Sequence, residues 1–112
     1  MMEAPGLSNT AKSKIESLLA QSKVVLFMKG SPAMPQCGFS ARATAILQEI
    51  GAEFSSVDVL ADSDIRDGIK IYGNWPTIPQ LYVDKELVGG SDIMMEMYES
   101  GELKDMLLTA KA

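Results

Sequence analysis

Val24-Val25-Leu26-Phe27-Met28 is a short, continuous apolar run rich in β-forming residues. A strand of that kind is buried on both faces, so it belongs inside a sheet that other elements cover. The residues after it fix how the chain continues. Lys29-Gly30-Ser31-Pro32-Ala33-Met34-Pro35-Gln36 breaks the run with turn formers. Ala43, Ile46, Leu47 and Ile50 then recur at helical spacing, and Gly51 closes the stripe. Phe54 to Val59 reads as a second strand beside the first. Strand, helix, strand is a βαβ unit, and its two strands must run parallel.

The remaining pattern completes one sheet. Residues 1–8 read as a flexible lead and 9–112 as a single domain. Ala11, Ile15, Leu18 and Leu19 mark a helix over Asn9 to Ser22, and Ile65, Ile69 and Tyr72 mark another over Asp62 to Tyr72. Leu81-Tyr82-Val83 and Glu86-Leu87-Val88 flank Asp84-Lys85 as a hairpin with a two-residue turn. Ile93, Met94, Met97 and Tyr98 form a further stripe, Gly101 interrupts it, and Leu103, Met106 and Leu107 continue on a last short helix. A parallel βαβ unit followed by an antiparallel hairpin gives a mixed four-stranded sheet with helices on both faces, the α/β arrangement of the thioredoxin-like fold.

Composition narrows the function classes. A chain of 112 residues can bury about two-thirds of its unfolded surface, so its core needs no disulfide. One cysteine allows no internal disulfide in any case. The formal net charge of −5, with no Lys/Arg cluster, argues against a nucleic-acid or anionic-membrane surface. No apolar stretch approaches the ~18 residues of a membrane span. The N-terminus lacks the regions of a signal peptide and is not Arg-rich. A reducing compartment is the expectation: bacterial cytoplasm, or a mitochondrial or plastid matrix after removal of a presequence.

Cys37 is where chemistry concentrates. A lone cysteine in a reducing compartment is usually a small buried hydrophobe. Cys37, however, follows a strand and a Pro-containing loop and precedes a helix, whose free N–H groups and positive dipole end stabilise a thiolate. Lys29 offers a second positive charge. A thiolate is both a nucleophile and a soft metal ligand, so the placement suits either task. Ser40 stands where a Cys-x-x-Cys pair would have its second thiol, and a hydroxyl cannot resolve a mixed disulfide. Thiol chemistry here is therefore monothiol, completed by an external thiol. Gly38 permits close approach of a ligand. The Phe39 ring either packs in the core or covers a ligand. With no histidine and one cysteine, the chain cannot build a zinc or iron–sulfur site alone. A cluster generally takes four thiolates; two chains supply two, and a small thiol or another protein must supply the rest.

Two further segments stand out. Trp75-Pro76-Thr77-Ile78-Pro79-Gln80 places two prolines just before a strand, which disfavours helix and sets a rigid entry. A cis Ile78-Pro79 bond would turn the backbone toward a ligand, although few X-Pro bonds are cis. Val88-Gly89-Gly90-Ser91-Asp92 ends a strand with two glycines and opens a helix with capping residues. That is ordinary turn chemistry, and it is also a place where a helix N-terminus can bind a carboxylate.

Lys29-Gly30-Ser31-Pro32, Gln36-Cys37-Gly38-Phe39-Ser40, Trp75-Pro76-Thr77-Ile78-Pro79-Gln80-Leu81 and Gly89-Gly90-Ser91-Asp92, in this order and spacing, make the chain resemble the monothiol glutaredoxins of the Cys-Gly-Phe-Ser class. The resemblance runs from about Thr10 to Leu107, and the long loop between Lys29 and Cys37 is similar to this class rather than to the dithiol glutaredoxins. It implies a glutathione site. Lys29 and Arg66 would hold the glycine carboxylate, although a charge on a helix is most often a solvated face. Backbone groups of Ile78, before a cis Pro79, would pair with the cysteinyl part. Ser91 and Asp92 would bind the γ-glutamyl end, and Gly38 and Phe39 would flank the sulfur. It further implies a [2Fe–2S] cluster held between two subunits by two protein cysteines and two glutathiones, transfer to iron–sulfur acceptor proteins, and a BolA-like partner. Many members carry a second cysteine where this chain has Ser91, so an internal disulfide to Cys37 is excluded here.

Three functions are thus open to the sequence. The first is a glutathione-ligated cluster carrier. The second is a glutathione-dependent oxidoreductase that removes glutathione from protein thiols, an activity expected to be weak at most. The third is a redox-inert interaction module, which fits poorly with an activated Cys37.

Overall fold

The computed structural model describes residues 6–109. The elements run α1 (Asn9–Gln21), β1 (Val24–Met28), β2 (Gly30–Ser31), β3 (Met34–Pro35), α2 (Gly38–Ile50), β4 (Ser55–Asp58), a 3-10 turn (Val59–Ala61), α3 (Ser63–Tyr72), β5 (Gln80–Val83), β6 (Glu86–Gly89), α4 (Ser91–Ser100) and α5 (Glu102–Thr109). Of the lead expected over residues 1–8, residues 1–5 lie outside the described residues. Leu7 is buried beside Gly68, and Ser8 caps α1 by accepting the Ala11 N–H at 3.1 Å. Among the described residues, packing therefore starts at least two residues earlier than expected, because Leu7 supplies apolar surface to α3.

The four-stranded sheet has the order β4-β1-β5-β6. β1 pairs parallel with β4 and antiparallel with β5, and β5 pairs antiparallel with β6. This is the expected mixed sheet, flanked by five helices. β1 lies at its centre and is buried throughout. Its alternation feeds two cores, as the period of a strand requires. Val24, Leu26 and Met28 pack with Ala43, Ile46 and Leu47 of α2, Met94 of α4 and Leu103 and Leu107 of α5. Val25 and Phe27 pack on the other face with Ile15 and Leu19 of α1 and Ile65 and Ile69 of α3. Lys14 ties α1 to the start of α3 through Asp62 at 3.0 Å and Asp64 at 3.1 Å.

Turn chemistry sets the ends. Gly51 is left-handed at φ 81° and returns its N–H to Leu47 and Gln48, which ends α2 as Gly51 suggested. Asp84 and Lys85 both have positive φ, 51° and 70°, the type I′ geometry that matches the twist of a tight hairpin. The second strand is shorter than Phe54 to Val59. The Asp58 carboxylate accepts the Leu60 N–H at 2.9 Å and turns the chain into the 3-10 segment. One element was not expected. The segment after Lys29, read as turn residues alone, holds the small hairpin β2-β3, in which Gly30 pairs with Pro35 and Ser31 with Met34. Gly30 is required there: its φ is 89°, and a Cβ would lie 2.5 Å from the Met34 carbonyl.

Candidate functional site

Cys37 is the N-cap residue of α2. Its backbone is extended (φ −156°, ψ 158°), and its Sγ accepts the Ser40 N–H at 3.3 Å. The thiol therefore takes the place that a serine or aspartate oxygen usually holds at a helix start. Ser40, one turn inside and fully buried, accepts the Lys29 N–H on its Oγ at 3.0 Å. The same Oγ lies 3.3 Å from Cys37 Sγ: it accepts from the protonated thiol, and its own proton can turn to the sulfur once the thiolate forms. Partial burial pushes the Cys37 thiol up, but it is outweighed. The Ser40 hydroxyl, the Ser40 and Phe39 amides and the Lys29 charge all favour the thiolate, and the pKa falls below that of an ordinary thiol. Cys37 is half-buried, Phe39 is 58% exposed, and a Cβ at Gly38 would meet nothing within 4 Å. The Phe39 ring is thus available for a ligand rather than used in the core, and the sulfur can be approached.

A cleft of about 430 Å³ opens beside this helix start, lined by Lys29, Phe39, Lys70, Pro76, Thr77, Ile78, Pro79, Gly90, Ser91 and Asp92. Its size lies within the range of small-molecule sites. One wall is the Trp75–Pro79 segment, and the Ile78-Pro79 bond is cis. Gln80 pins that wall from below. Its buried side-chain amide donates to the carbonyls of Trp75 at 3.0 Å and Thr77 at 3.1 Å, while its Oε1 accepts the Tyr82 hydroxyl at 2.9 Å. Burial holds the Tyr82 phenol protonated, well above its ordinary pKa, so Tyr82 serves as a fixed donor. Gly73 leaves room for this chain of bonds, because a Cβ there would collide with the Tyr82 hydroxyl.

The opposite wall is the start of α4. Ser91 and Asp92 were expected as capping residues; instead both lie inside the helix, and Gly90 is the N-cap with no side-chain capping bond. The reason is steric. A Cβ at residue 90 would stand 3.1 Å from Trp75 Nε1 and 3.3 Å from the Pro79 carbonyl, so glycine lets α4 close against the cis-proline wall. Ser91 is buried, and Asp92 is exposed in the first turn, where the helix dipole favours a carboxylate.

Most of the residues anticipated from the sequence therefore meet in one place. Lys29, Phe39, Ile78, Pro79, Ser91 and Asp92 line the cleft, and Cys37 and Gly38 immediately precede Phe39. Arg66 does not line it; its Nε pairs with Asp67 at 3.3 Å on the α3 surface. The cation that α3 does bring to the cleft is Lys70, one turn further on, which the sequence reading passed over. No sequence signal separates Lys70 from Arg66. Lys70 lies at i+4 from Arg66 and five residues before Trp75, whose N–H its carbonyl accepts at 3.0 Å. Among the described residues no group of three or more His, Cys, Asp or Glu side chains could hold a metal ion. A second depression, of about 500 Å³, lies at the end of α1 against Lys23 and Asp84 and holds no cysteine.

The chain matches the glutaredoxin family model over residues 24–88. It is 56% identical over 101 residues to a ycf64-like monothiol glutaredoxin of Synechocystis, across 90% of this chain and 94% of that protein. The solution structure of reduced poplar apo GrxS14 superposes with a TM-score of 0.78 at 46% identity, covering 89% of this chain and 92% of that one. A buckwheat glutaredoxin–glutathione complex shares the fold, with a TM-score of 0.80 at 24% identity over 92% of each chain. A cysteine that caps its helix beside a cleft built on a cis-proline, within this fold and at this level of identity, places the chain in the monothiol glutaredoxin family.

Proposed function

We propose that the cleft binds glutathione, and that Cys37 and glutathione together hold a [2Fe–2S] cluster shared by two copies of the chain, for delivery to iron–sulfur acceptor proteins. The observation that carries this reading is the position of Cys37. Its thiolate is stabilised, it is open at Gly38 and Phe39, and it stands beside a cleft with cations contributed by Lys29, just after β1, and by α3, and a carboxylate contributed by α4. Lys29 and Lys70 suit the glycine carboxylate, with Arg66 one turn away on α3. The Ile78 backbone before Pro79 suits the cysteinyl part, Ser91 and Asp92 suit the γ-glutamyl end, and Gly38 and Phe39 flank the sulfur. Glutathione is also the ligand of the buckwheat fold neighbour.

The ligand count supports the cluster. One chain offers a single soft ligand, and two chains with two glutathiones offer the four thiolates that such a cluster takes. A cluster so shared is accessible and labile, which suits transfer. Acceptor proteins, a BolA-like protein and a reducing compartment belong to the same reading. Anaerobic reconstitution with iron, sulfide and glutathione tests it: a coloured dimer with visible absorption is expected, and Cys37→Ser should stay colourless. A colourless wild-type monomer, or an unchanged cluster in Cys37→Ser, overturns it.

The stabilised thiolate also favours a second reading, removal of glutathione from protein thiols. Cys37 would attack the glutathione sulfur of a mixed disulfide and release the protein thiolate. A second glutathione thiolate would then attack the Cys37–glutathione bond, freeing Cys37 and leaving glutathione disulfide. Turnover of a glutathionylated substrate coupled to glutathione reductase, abolished in Cys37→Ser, would support it; a rate near background would exclude it as the main role.

A further inference from the structure

One cation near the cleft has no part in the reading above. Arg42, on α2 one turn beyond Gly38, reaches across to α4 and places its Nη1 3.7 Å from Asp92 Oδ1. The contact contributes little to the fold. Both side chains are solvent-exposed, at 46% and 86%, the separation exceeds a hydrogen bond, and exposed pairs of this kind are weak. Yet it sets a definite pattern of charge. Asp92 is the only carboxylate among the described residues lining the cleft, and Arg42 is the cation paired with it. The end of the cleft at α4 therefore presents a negative group with a positive group beside it.

A zwitterionic amino-acid head is complementary to that pair. Its ammonium faces Asp92, and its α-carboxylate, one carbon away, faces the guanidinium. Guanidinium is the side chain best shaped to take a carboxylate through two parallel hydrogen bonds. An amine lacking the carboxylate gains only the Asp92 contact and is repelled by Arg42. We propose that Arg42 is a specificity-determining residue of the cleft, which reads the α-carboxylate of the γ-glutamyl head of glutathione and so selects a zwitterionic head over a simple amine. The assignment rests on the reading of the cleft as a glutathione site. On it, Arg42 leaves Asp92 to the ligand's ammonium when the head arrives, and the exchange replaces one long ion pair by two shorter ones.

The test titrates wild type, Arg42→Ala and Arg42→Lys with two probes, following the Ser91 and Asp92 amides by NMR. The probes are glutathione and 4-aminobutanoyl-cysteinylglycine, which keeps the amine, the thiol and the glycine carboxylate but lacks the α-carboxylate. Arg42→Ala should weaken glutathione by about twofold to fivefold, the scale of an exposed ion pair. It should leave the decarboxylated probe unchanged or bind it more tightly, and Arg42→Lys should retain most of the glutathione affinity. No change for glutathione in Arg42→Ala, or the same loss for both probes, overturns the role of Arg42 while leaving the cleft reading in place. No response of the wild-type amides to glutathione overturns the cleft reading and this assignment together.

Discussion

Ser40 Oγ stands 3.3 Å from Cys37 Sγ while accepting the Lys29 amide proton at 3.0 Å, so one buried hydroxyl joins the thiol to the end of β1. The residue at the second position of a would-be dithiol pair is therefore more than a missing cysteine. It holds the Lys29 amide, and it donates its proton to the sulfur once Cys37 is a thiolate. The monothiol chemistry of the chain and the stabilisation of its thiolate depend on the same side chain.

This relationship predicts the pH dependence of Cys37. An acid whose folded pKa lies below its unfolded value favours the charged form in the native state, so the thiolate adds stability above the unfolded pKa and that stability is lost as pH falls through the folded pKa. Alkylation by iodoacetamide should follow the thiolate, with a midpoint below that of a free cysteine peptide in the same buffer. Ser40→Ala should move the midpoint up and slow alkylation at neutral pH by about fivefold, the worth of a hydrogen bond near 1 kcal/mol. The Ser40 and Phe39 amides and the Lys29 charge remain, so the midpoint should stay below that of the peptide. An unchanged profile in Ser40→Ala would remove the hydroxyl from the account.

Gln80 governs stability and site geometry together. Replacing it with leucine leaves the Tyr82 hydroxyl and the Trp75 and Thr77 carbonyls without their partner. The Tyr82 hydroxyl is the fully buried one of the three, and a buried polar group so orphaned costs about 1–3 kcal/mol, with the part-buried carbonyls adding less. Urea unfolding should show Gln80→Leu destabilised by about 2–4 kcal/mol, with a smaller loss in Tyr82→Phe. Equal stability of Gln80→Leu and wild type would contradict the pinning of the cis-proline wall.

The two cations of α3 should separate in a glutathione titration. Lys70 lines the cleft, whereas Arg66 is turned to Asp67. Lys70→Ala should weaken binding by about tenfold, as expected for a charge-assisted contact to a carboxylate, and Arg66→Ala by less than about twofold. The reverse order would return the glycine carboxylate to Arg66.

These residues also mark where sequence patterning succeeds and where it stops. The buried run Val24–Met28, the stripe from Ala43 to Ile50 and the Asp84-Lys85 turn carry their structure in local periodicity and turn chemistry, so the sheet and its helices are legible. The β2-β3 hairpin is not, because its two-residue strands are held by Gly30 backbone geometry and by the Asp58 carboxylate, which accepts the Gly30 N–H at 2.9 Å from a distant strand end. Ser40 reads in the sequence only as the absence of a thiol. Its bond to Lys29 joins residues eleven apart and becomes visible only once β1 and α2 pack. Lys70 and Arg66 differ by one helical turn, and neither their charge nor their spacing says which of them faces the cleft. Arg42 has no motif at all. It enters the site because α2 and α4 lie side by side.

The most direct measurement is native mass spectrometry of the anaerobically reconstituted protein, since mass counts ligands. A species of two chains, one [2Fe–2S] cluster and two glutathiones is expected, absent when glutathione is omitted and absent in Cys37→Ser. A cluster bound to a single chain, or a two-chain cluster formed without glutathione, would contradict the shared, glutathione-ligated site.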